Sequence, residues 1–419
     1  MRTHTTLLAA VPRFFELLRS QRDTEGQRAA WRRRKLAGVL EAAGAIPFYR
    51  DAFGGVARVD EFAALPTLTR EQIPALHDSV MSVRADAARL PRVRTSGSSG
   101  APIWLSFDGP HQRGRFAARA RYLWENGWRP HHRAAWLIGI LPGSPDGTLV
   151  RSRVLGGARF FSHVEKFEDQ VDWLQALDPL HLYSMPSNLE AVVRVMEKRG
   201  ARLPSLRGVF TGGEVLEDAL RQLVRKVLGV EIADDYGTTE AFLAWQCPRG
   251  SYHVNDEHVH VELVDGSGRP AAPGTVGRVL FTTLENRVMP LVRYEIDDYA
   301  ESIAGPCPCG RTLSRIGRVH GRGMNLFRGA GGALISPWKL IEPLREIPTV
   351  HKSQMIQHEV DRFTVRFVAD EEPADTVKDE IRARLLECYG APASFIFERV
   401  EDIARTGRGK YMSAICEIA

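Results

Sequence analysis

The chain has 419 residues, of which 44% are hydrophobic and 26% charged, with a formal net charge of +5. That is the make-up of an ordinary globular protein, and the length allows two or three domains. It excludes a disordered or fibrous chain. No apolar run approaches the ~18 residues of a membrane-spanning helix. The charge is too small to single out nucleic acid as a partner, although an anionic small molecule suits it.

The segment Met1–Gln21 has a short apolar stretch with no cleavage site behind it, so it reads as a helix and not as a signal peptide. The expected location is the cytoplasm. Its reducing milieu leaves the five cysteines out of any disulfide framework. Residues 1 to about 60 read as helical, with a break at Ile46-Pro47-Phe48-Tyr49. The basic run Arg32-Arg33-Arg34-Lys35 reads as a solvated helix face. Thr69, with Glu71 and Gln72 behind it, is a candidate cap for the next helix.

From about residue 90 to 300 the pattern alternates. Apolar strands at Ala134–Ile140, Leu182–Met185 and Gly208–Thr211 are interleaved with helices at Asn188–Arg199 and Leu216–Val227. Alternation of this kind predicts an α/β fold, with mixed and parallel sheets flanked by helices. A smaller unit begins near residue 323, after which two strands, a helix and a last strand predict a mobile α+β lid. The expected division is therefore 1–322 and 323–419.

Residues 95–102 read Thr-Ser-Gly-Ser-Ser-Gly-Ala-Pro between two strand-like runs. Glycines let a backbone turn its N–H groups inward, and short hydroxyls add donors without bulk, so the loop suits a phosphate. Composition alone favours a plain linker or turn. No lysine lies between Lys35 and Lys166, so this is not the common P-loop. Three more turns carry glycine or acid: Phe210–Glu214, Asp234–Glu240 and Pro290–Asp298, each read as ending a strand. Loops at the carboxyl ends of parallel strands line ligand crevices.

Taken in order, TSGSSGAP (95–102), FTGGE (210–214), DDYGTTE (234–240), PLVRYEIDD (290–298), IGRVHGR (316–322) and RTGRGKY (405–411) resemble the adenylate-forming superfamily. Within it the phenylacetate–CoA ligase-like branch is the nearer likeness, and LPTLTREQI (65–73) is similar to that branch too. The resemblance implies an acid–thiol ligase. A carboxylate attacks the α-phosphate of ATP to give an acyl-adenylate and pyrophosphate. A thiol, usually that of coenzyme A, then takes the acyl group and AMP leaves.

The same resemblance assigns roles. Ser96, Gly97, Ser98, Ser99 and Gly100 hold the β- and γ-phosphates. Gly213 and Glu214 border adenine, and Tyr236 stacks on it, within the nucleotide-binding run Asp235, Tyr236, Gly237, Thr238. Thr239 donates to the α-phosphate, Glu240 places Mg²⁺, Asp298 holds the ribose hydroxyls, and Arg322 precedes the hinge. Lys410 supplies the catalytic cation when the lid closes. The acid pocket is expected among Trp136, Tyr183, Met185 and Phe210, an apolar aromatic set that suits an aryl acid.

Two departures stand out. Ile103 follows Ala101-Pro102 where the family often has a lysine near the loop's end, and Gly323-Met324-Asn325 replaces the usual acidic pair of the hinge. A carrier-protein thiol or an amine is therefore the alternative acceptor. An inactive, zinc-stabilised nucleotide-binding protein is the alternative of another class. A homodimer is left open.

Cys247, His253, Cys307 and Cys309 match the ligand set of a structural tetrahedral zinc, although their spacings are not those of the usual fingers. Some members of the resembled branch carry such a cluster, which favours zinc. Cys388 and Cys416 read as core residues. His258 and His260 read as one structural or solvated strand face.

Overall fold

The computed structural model describes residues 9–52, 54, 59–84, 90–94, 103–138, 157–163, 165–322, 327–329, 334–335, 338–345, 347, 349–403 and 413–418. Two compact units emerge. One comprises Met1–Ile296 with Ala300–Val319, the other Asp297–Tyr299 with His320–Ala419.

In the first unit, helices Val11–Ser20, Glu25–Gly44 and Pro47–Ala52 open the chain. Thr24 and Gln27 form a reciprocal capping box at the second of them. Gln72 accepts from the Thr69 amide at a 3-10 turn that leads into helix Ile73–Val83. Strands β1 (Arg92–Arg94) and β2 (Trp104–Ser106) pair antiparallel. Helix Gly109–Glu125 follows, its N-terminus capped by the Asp108 carboxylate.

The main sheet contains β3 (Ala134–Ile138), β4 (Ala158–Ser162), β5 (His181–Ser184), β6 (Gly208–Gly212), β7 (Ile232–Gly237), β8 (Phe242–Gln246), β9 (Tyr252–Val254), β10 (Val259–Val264), β11 (Val276–Thr283), β12 (Tyr294–Ser302) and β13 (Arg315–Arg322). Its order is β10-β11-β12-β13-β9-β8-β7-β6-β5-β3-β4. Strands β4, β3, β5, β6 and β7 run parallel. Three crossover helices make this possible: Phe167–Leu177, Pro186–Arg199 and Asp218–Leu228. Two of them stop at left-handed glycines, Gly200 (φ 63°) and Gly229 (φ 71°), a conformation that costs other residues more. The inner parallel strands β5 and β6 are mostly buried because helices cover the sheet. Leu182 and Val209 pack there against Val192 and Val224. At the antiparallel end, Phe281 and Val279 share a core with Leu36, Val39 and Leu40 of the second helix.

The second unit carries β14 (Phe327–Arg328) paired with β15 (Leu334–Ile335), and a sheet of β16 (Val350–Glu359), β17 (Arg362–Ala369), β18 (Ser394–Arg399) and β19 (Ala414–Cys416) in the order β18-β17-β16-β19. Helices Trp338–Arg345 and Asp375–Tyr389 accompany it, and its own core centres on Phe363, Val365, Leu385 and Phe395. Cys388 and Cys416 pack against that core.

Two local expectations are corrected. Pro290–Asp298 does not end a strand; it leads into β12, because Tyr294 bridges to Leu68 and the Glu295 amide bonds the Leu68 carbonyl. His258 precedes β10, so it does not alternate with His260 along that strand, and its near-complete burial agrees with the structural and not the solvated reading. Burial follows from its 2.9 Å pairing with the buried carboxylate of Glu285.

Candidate active site and metal centre

Strand β7 ends in the turn Thr238-Thr239-Glu240, which returns into β8. Bonds inside the turn fix its shape. The Thr238 amide donates to Ala241 O at 2.8 Å, and the Thr238 Oγ1 accepts from the Glu240 and Ala241 amides, both at 3.2 Å. The Glu240 side chain is buried.

Successive residues of a strand point to opposite faces, and Asp234 and Asp235 do so with different partners. Asp235 is ion-paired with Arg119 at 2.8 Å. The Arg119 guanidinium also lies over the rings of Tyr183 (5.6 Å) and Phe242 (5.4 Å). Asp234 accepts from Thr211 Oγ1 at 2.5 Å and from the Tyr252 hydroxyl. Burial pushes its pKa up to about 7, against the pull of those two bonds.

Four strands contribute an aromatic row. In register, Phe160 of β4 neighbours Trp136 of β3, Trp136 neighbours Tyr183 of β5, and Tyr183 neighbours Phe210 of β6. Trp136 stacks on Tyr183 with centroids 4.7 Å apart and on Phe160 at 5.8 Å. The parallel register forces these rings together, because equivalent positions of adjacent strands share a face. Of the expected acid-pocket residues, Trp136, Tyr183 and Phe210 are thus register neighbours on adjacent strands, with Tyr183 and Phe210 in one buried aromatic core and Trp136 packed against it. Met185 stands just past β5, at the start of helix Pro186–Arg199.

Cys247, His253, Cys307 and Cys309 converge. Their ligand atoms all lie within 4.8 Å of one another. The Cys247 and Cys307 sulfurs are 3.9 Å apart, and Cys309 Sγ is 3.2 Å from His253 Nε2. Tetrahedral zinc with bonds of about 2.3 Å to sulfur sets such atoms about 3.8 Å apart, so the donor set fits the ion. Burial presses the His253 pKa down to about 4, which keeps the ring in the neutral form that binds metal. A zinc held by these four side chains would take all its ligands from protein, which suits a structural role.

Residues 153–288 match the family model of AMP-binding enzymes, and residues 327–417 match the CapK C-terminal domain. The chain is 32% identical over 193 residues to a phenylacetate-coenzyme A ligase of Thermus thermophilus, covering 44% of this chain and 43% of that one. To the phenylacetate-coenzyme A ligase of Escherichia coli it is 26% identical over 338 residues, covering 76% and 75%. These matches support the adenylate-forming superfamily, and within it the phenylacetate–CoA ligase-like branch. A solved 2-hydroxyisobutyryl-CoA ligase, in its postadenylation state with R3-HIB-AMP, superposes with a TM-score of 0.78 at 19% identity over 95% of this chain and 91% of that one, a likeness of fold. The match to the Thermus relative spans less than half of that protein's length.

Against the superfamily's motifs, the structure positions some residues and not others. Ser96–Gly100 and Lys410 lie outside the described residues, as does the hinge segment 323–325. Gly213 follows β6 with φ 82°, and Glu214 accepts from the Ser187 amide (2.8 Å) and hydroxyl (3.1 Å), bracing the start of helix Pro186–Arg199. Tyr236 and Gly237 close β7, and Tyr236 is buried. Asp298 is half-buried on β12, and Arg322 ends β13. Helix Gly109–Glu125 goes unmarked in the sequence reading, yet its His111 and Arg115 reach the turn after β7 and its Arg119 reaches Asp235 within β7. Their four-residue spacing was the available signal, but without a partner in view it marks only one face of a helix.

Proposed function

We propose that the protein activates a carboxylic acid with ATP and passes the acyl group to coenzyme A. The carrying observation is the likeness to a phenylacetate-coenzyme A ligase over 76% of this chain. In the first half-reaction a carboxylate oxygen bonds to the α-phosphorus and the bond to the bridging oxygen breaks, releasing pyrophosphate. In the second, the coenzyme A sulfur bonds to the acyl carbon, its proton is lost to solvent, and AMP leaves with the bonding pair.

The protein's part is positioning and charge. Ser96, Gly97, Ser98, Ser99 and Gly100 cradle the outgoing pyrophosphate with backbone and hydroxyl donors. Thr239 donates to the α-phosphate, Glu240 holds the magnesium that neutralises phosphate charge, and Tyr236, Gly213 and Glu214 frame adenine. Asp298 accepts from the ribose hydroxyls, and Lys410 stabilises the pentavalent centre. The row Trp136, Tyr183 and Phe210 offers flat apolar faces, which supports an aryl acid. Cys247, His253, Cys307 and Cys309 hold a structural zinc that ties the β8–β9 turn to the loop before β13. Among the described residues no helix is long and apolar enough to cross a membrane.

ATP–pyrophosphate exchange with a panel of aryl and alkyl acids tests the first half-reaction, and mass spectrometry of the acyl product tests the second. Exchange with an aryl acid and a coenzyme A thioester are expected. Exchange without thioester directs the acyl group to a carrier thiol or an amine, an acceptor change that the Gly323-Met324-Asn325 hinge favours. ATP binding with no exchange for any acid would leave an inactive nucleotide-binding protein.

A further inference from the structure

We propose that helix Gly109–Glu125 is a clamp that sets the Thr238-Thr239-Glu240 turn, with His111 and Arg115 as its positioning residues. The proposal rests on the adenylation reading above. Its geometry is all within one unit of the fold.

A turn between two strands leaves carbonyls without ladder partners, and each must be satisfied elsewhere. Here three in succession are taken up by one helix. Arg115 Nη2 donates to Thr238 O at 3.4 Å and Arg115 Nη1 donates to Thr239 O at 2.9 Å. His111 Nε2 bonds Glu240 O at 3.1 Å. One turn further along, Arg119 pairs with Asp235, at the other end of the same segment. Residues 111, 115 and 119 are four apart, so they line one stripe of the helix and read the segment like successive rungs.

The clamp is itself anchored. The Asp108 carboxylate caps the helix by accepting from the His111 amide at 2.9 Å, and its other oxygen accepts from the Arg287 amide at 2.9 Å. The His111 ring is stacked on Phe107 with centroids 4.8 Å apart, and His258 lies 4.7 Å away on another side. His111 is fully buried, and burial holds its pKa well below the ordinary value. A neutral ring bonded to a carbonyl through Nε2 must carry its proton there, which leaves Nδ1 bare. Nδ1 is indeed buried with no partner. Arg115 contributes what histidine lacks, a rigid fork that spans two neighbouring carbonyls.

With its carbonyls held by the helix and its Thr238, Glu240 and Ala241 amides held inside the turn, the backbone has little freedom to rotate. The directions of the Thr239 hydroxyl and the Glu240 carboxylate are set by that backbone. His111 and Arg115 therefore act through Glu240 on the magnesium and through Thr239 on the α-phosphate.

The test uses the whole 419-residue chain. Arg115→Met and His111→Leu remove the donors, whereas Arg115→Lys and His111→Gln keep one at a similar reach. For each, the Mg²⁺ concentration for half-maximal ATP–pyrophosphate exchange is measured with kcat and the acid KM. The Mg²⁺ dependence of ATP binding is measured by calorimetry without acid. The donor-less variants should need roughly tenfold more Mg²⁺, as when a group that orients a metal ligand is lost, with kcat down and the acid KM nearly unchanged. The conservative variants should recover most of the loss, and they carry the comparison if a donor-less protein does not fold. Lower melting temperatures with wild-type Mg²⁺ dependence would overturn the proposal, reducing the helix to a structural support. If the wild type exchanges with no acid, the adenylation reading falls, while the calorimetric Mg²⁺ shift still decides the clamp.

Discussion

Arg121 is fully buried in helix Gly109–Glu125, and its substitution by Met gives a worked stability prediction. Its guanidinium donates to Glu257 Oε1 (2.8 Å) and Oε2 (3.0 Å), to Asn255 Oδ1 (2.8 Å) and to Leu17 O (3.1 Å). Burial alone would raise the Glu257 pKa, but the Arg121 charge and its hydrogen bonds outweigh that and hold it below the ordinary value. Removing one partner of such a buried pair costs about 3–5 kcal/mol, since the other charge is left uncompensated. Ser20 Oγ, still donating to Glu257 at 2.7 Å, puts the expected loss at the lower end, about 3 kcal/mol.

The pH dependence should reverse with it. In the wild type the lowered pKa of Glu257 adds stability above the unfolded-state value, and that is lost as pH falls through the folded one. In Arg121→Met burial dominates, so the carboxyl pKa rises above the unfolded value. The penalty is then absent in acid and grows as pH climbs toward the new folded pKa. Urea unfolding of the wild type, Arg121→Met, Glu257→Gln and the double variant between pH 4 and 8 measures both effects. Glu257→Gln in the Arg121→Met background should recover part of the loss at neutral pH. A deficit under about 1 kcal/mol, or one independent of pH, would refute the argument, because an exposed pair behaves that way.

Three further outcomes are expected. Asp234→Asn should flatten the pH dependence of stability. The raised Asp234 pKa of about 7 gives stability that is full below the unfolded carboxyl value and fades as pH rises through 7, so the Asn variant should gain on the wild type at pH 8 in thermal melts. Purified protein should contain close to one zinc per chain by elemental analysis; Cys309→Ser should lose most of it and melt earlier, and a metal-free wild type would dismiss the site. Lys410→Ala should slow pyrophosphate exchange by roughly 10²–10³-fold, the usual loss for a group that stabilises transition-state charge, and an unaffected rate would remove it from the mechanism.

Much of this was legible in the chain. The alternation of apolar runs with helical stretches marked the parallel half of the sheet, because β5, β6 and their crossover helices need that pattern to be covered on both faces. The antiparallel half was harder. Pro290–Asp298 reads as a strand end in the sequence, whereas the place of β12 between β11 and β13, with a bridge from Tyr294 to Leu68 over two hundred residues earlier, shows it entering that strand. Cys247, His253, Cys307 and Cys309 were recognisable as a ligand set, yet nothing in a spacing of sixty residues between Cys247 and Cys307 brings two sulfurs to 3.9 Å. The pairing of β8 with β9 and of β9 with β13 does that.

The sequence by itself determined the kind of chemistry on offer. Turns rich in glycine, hydroxyl and acid suit a phosphate but singly also describe plain loops; their order along the chain carries the resemblance to adenylate-forming enzymes. What the tertiary structure decided is which side chains hold those turns. His111, Arg115 and Arg119 are unremarkable members of a basic helix until the fold sets that helix against β7. Their role depends on which carbonyls face them, and backbone carbonyls leave no signature in the sequence of the residues that bind them.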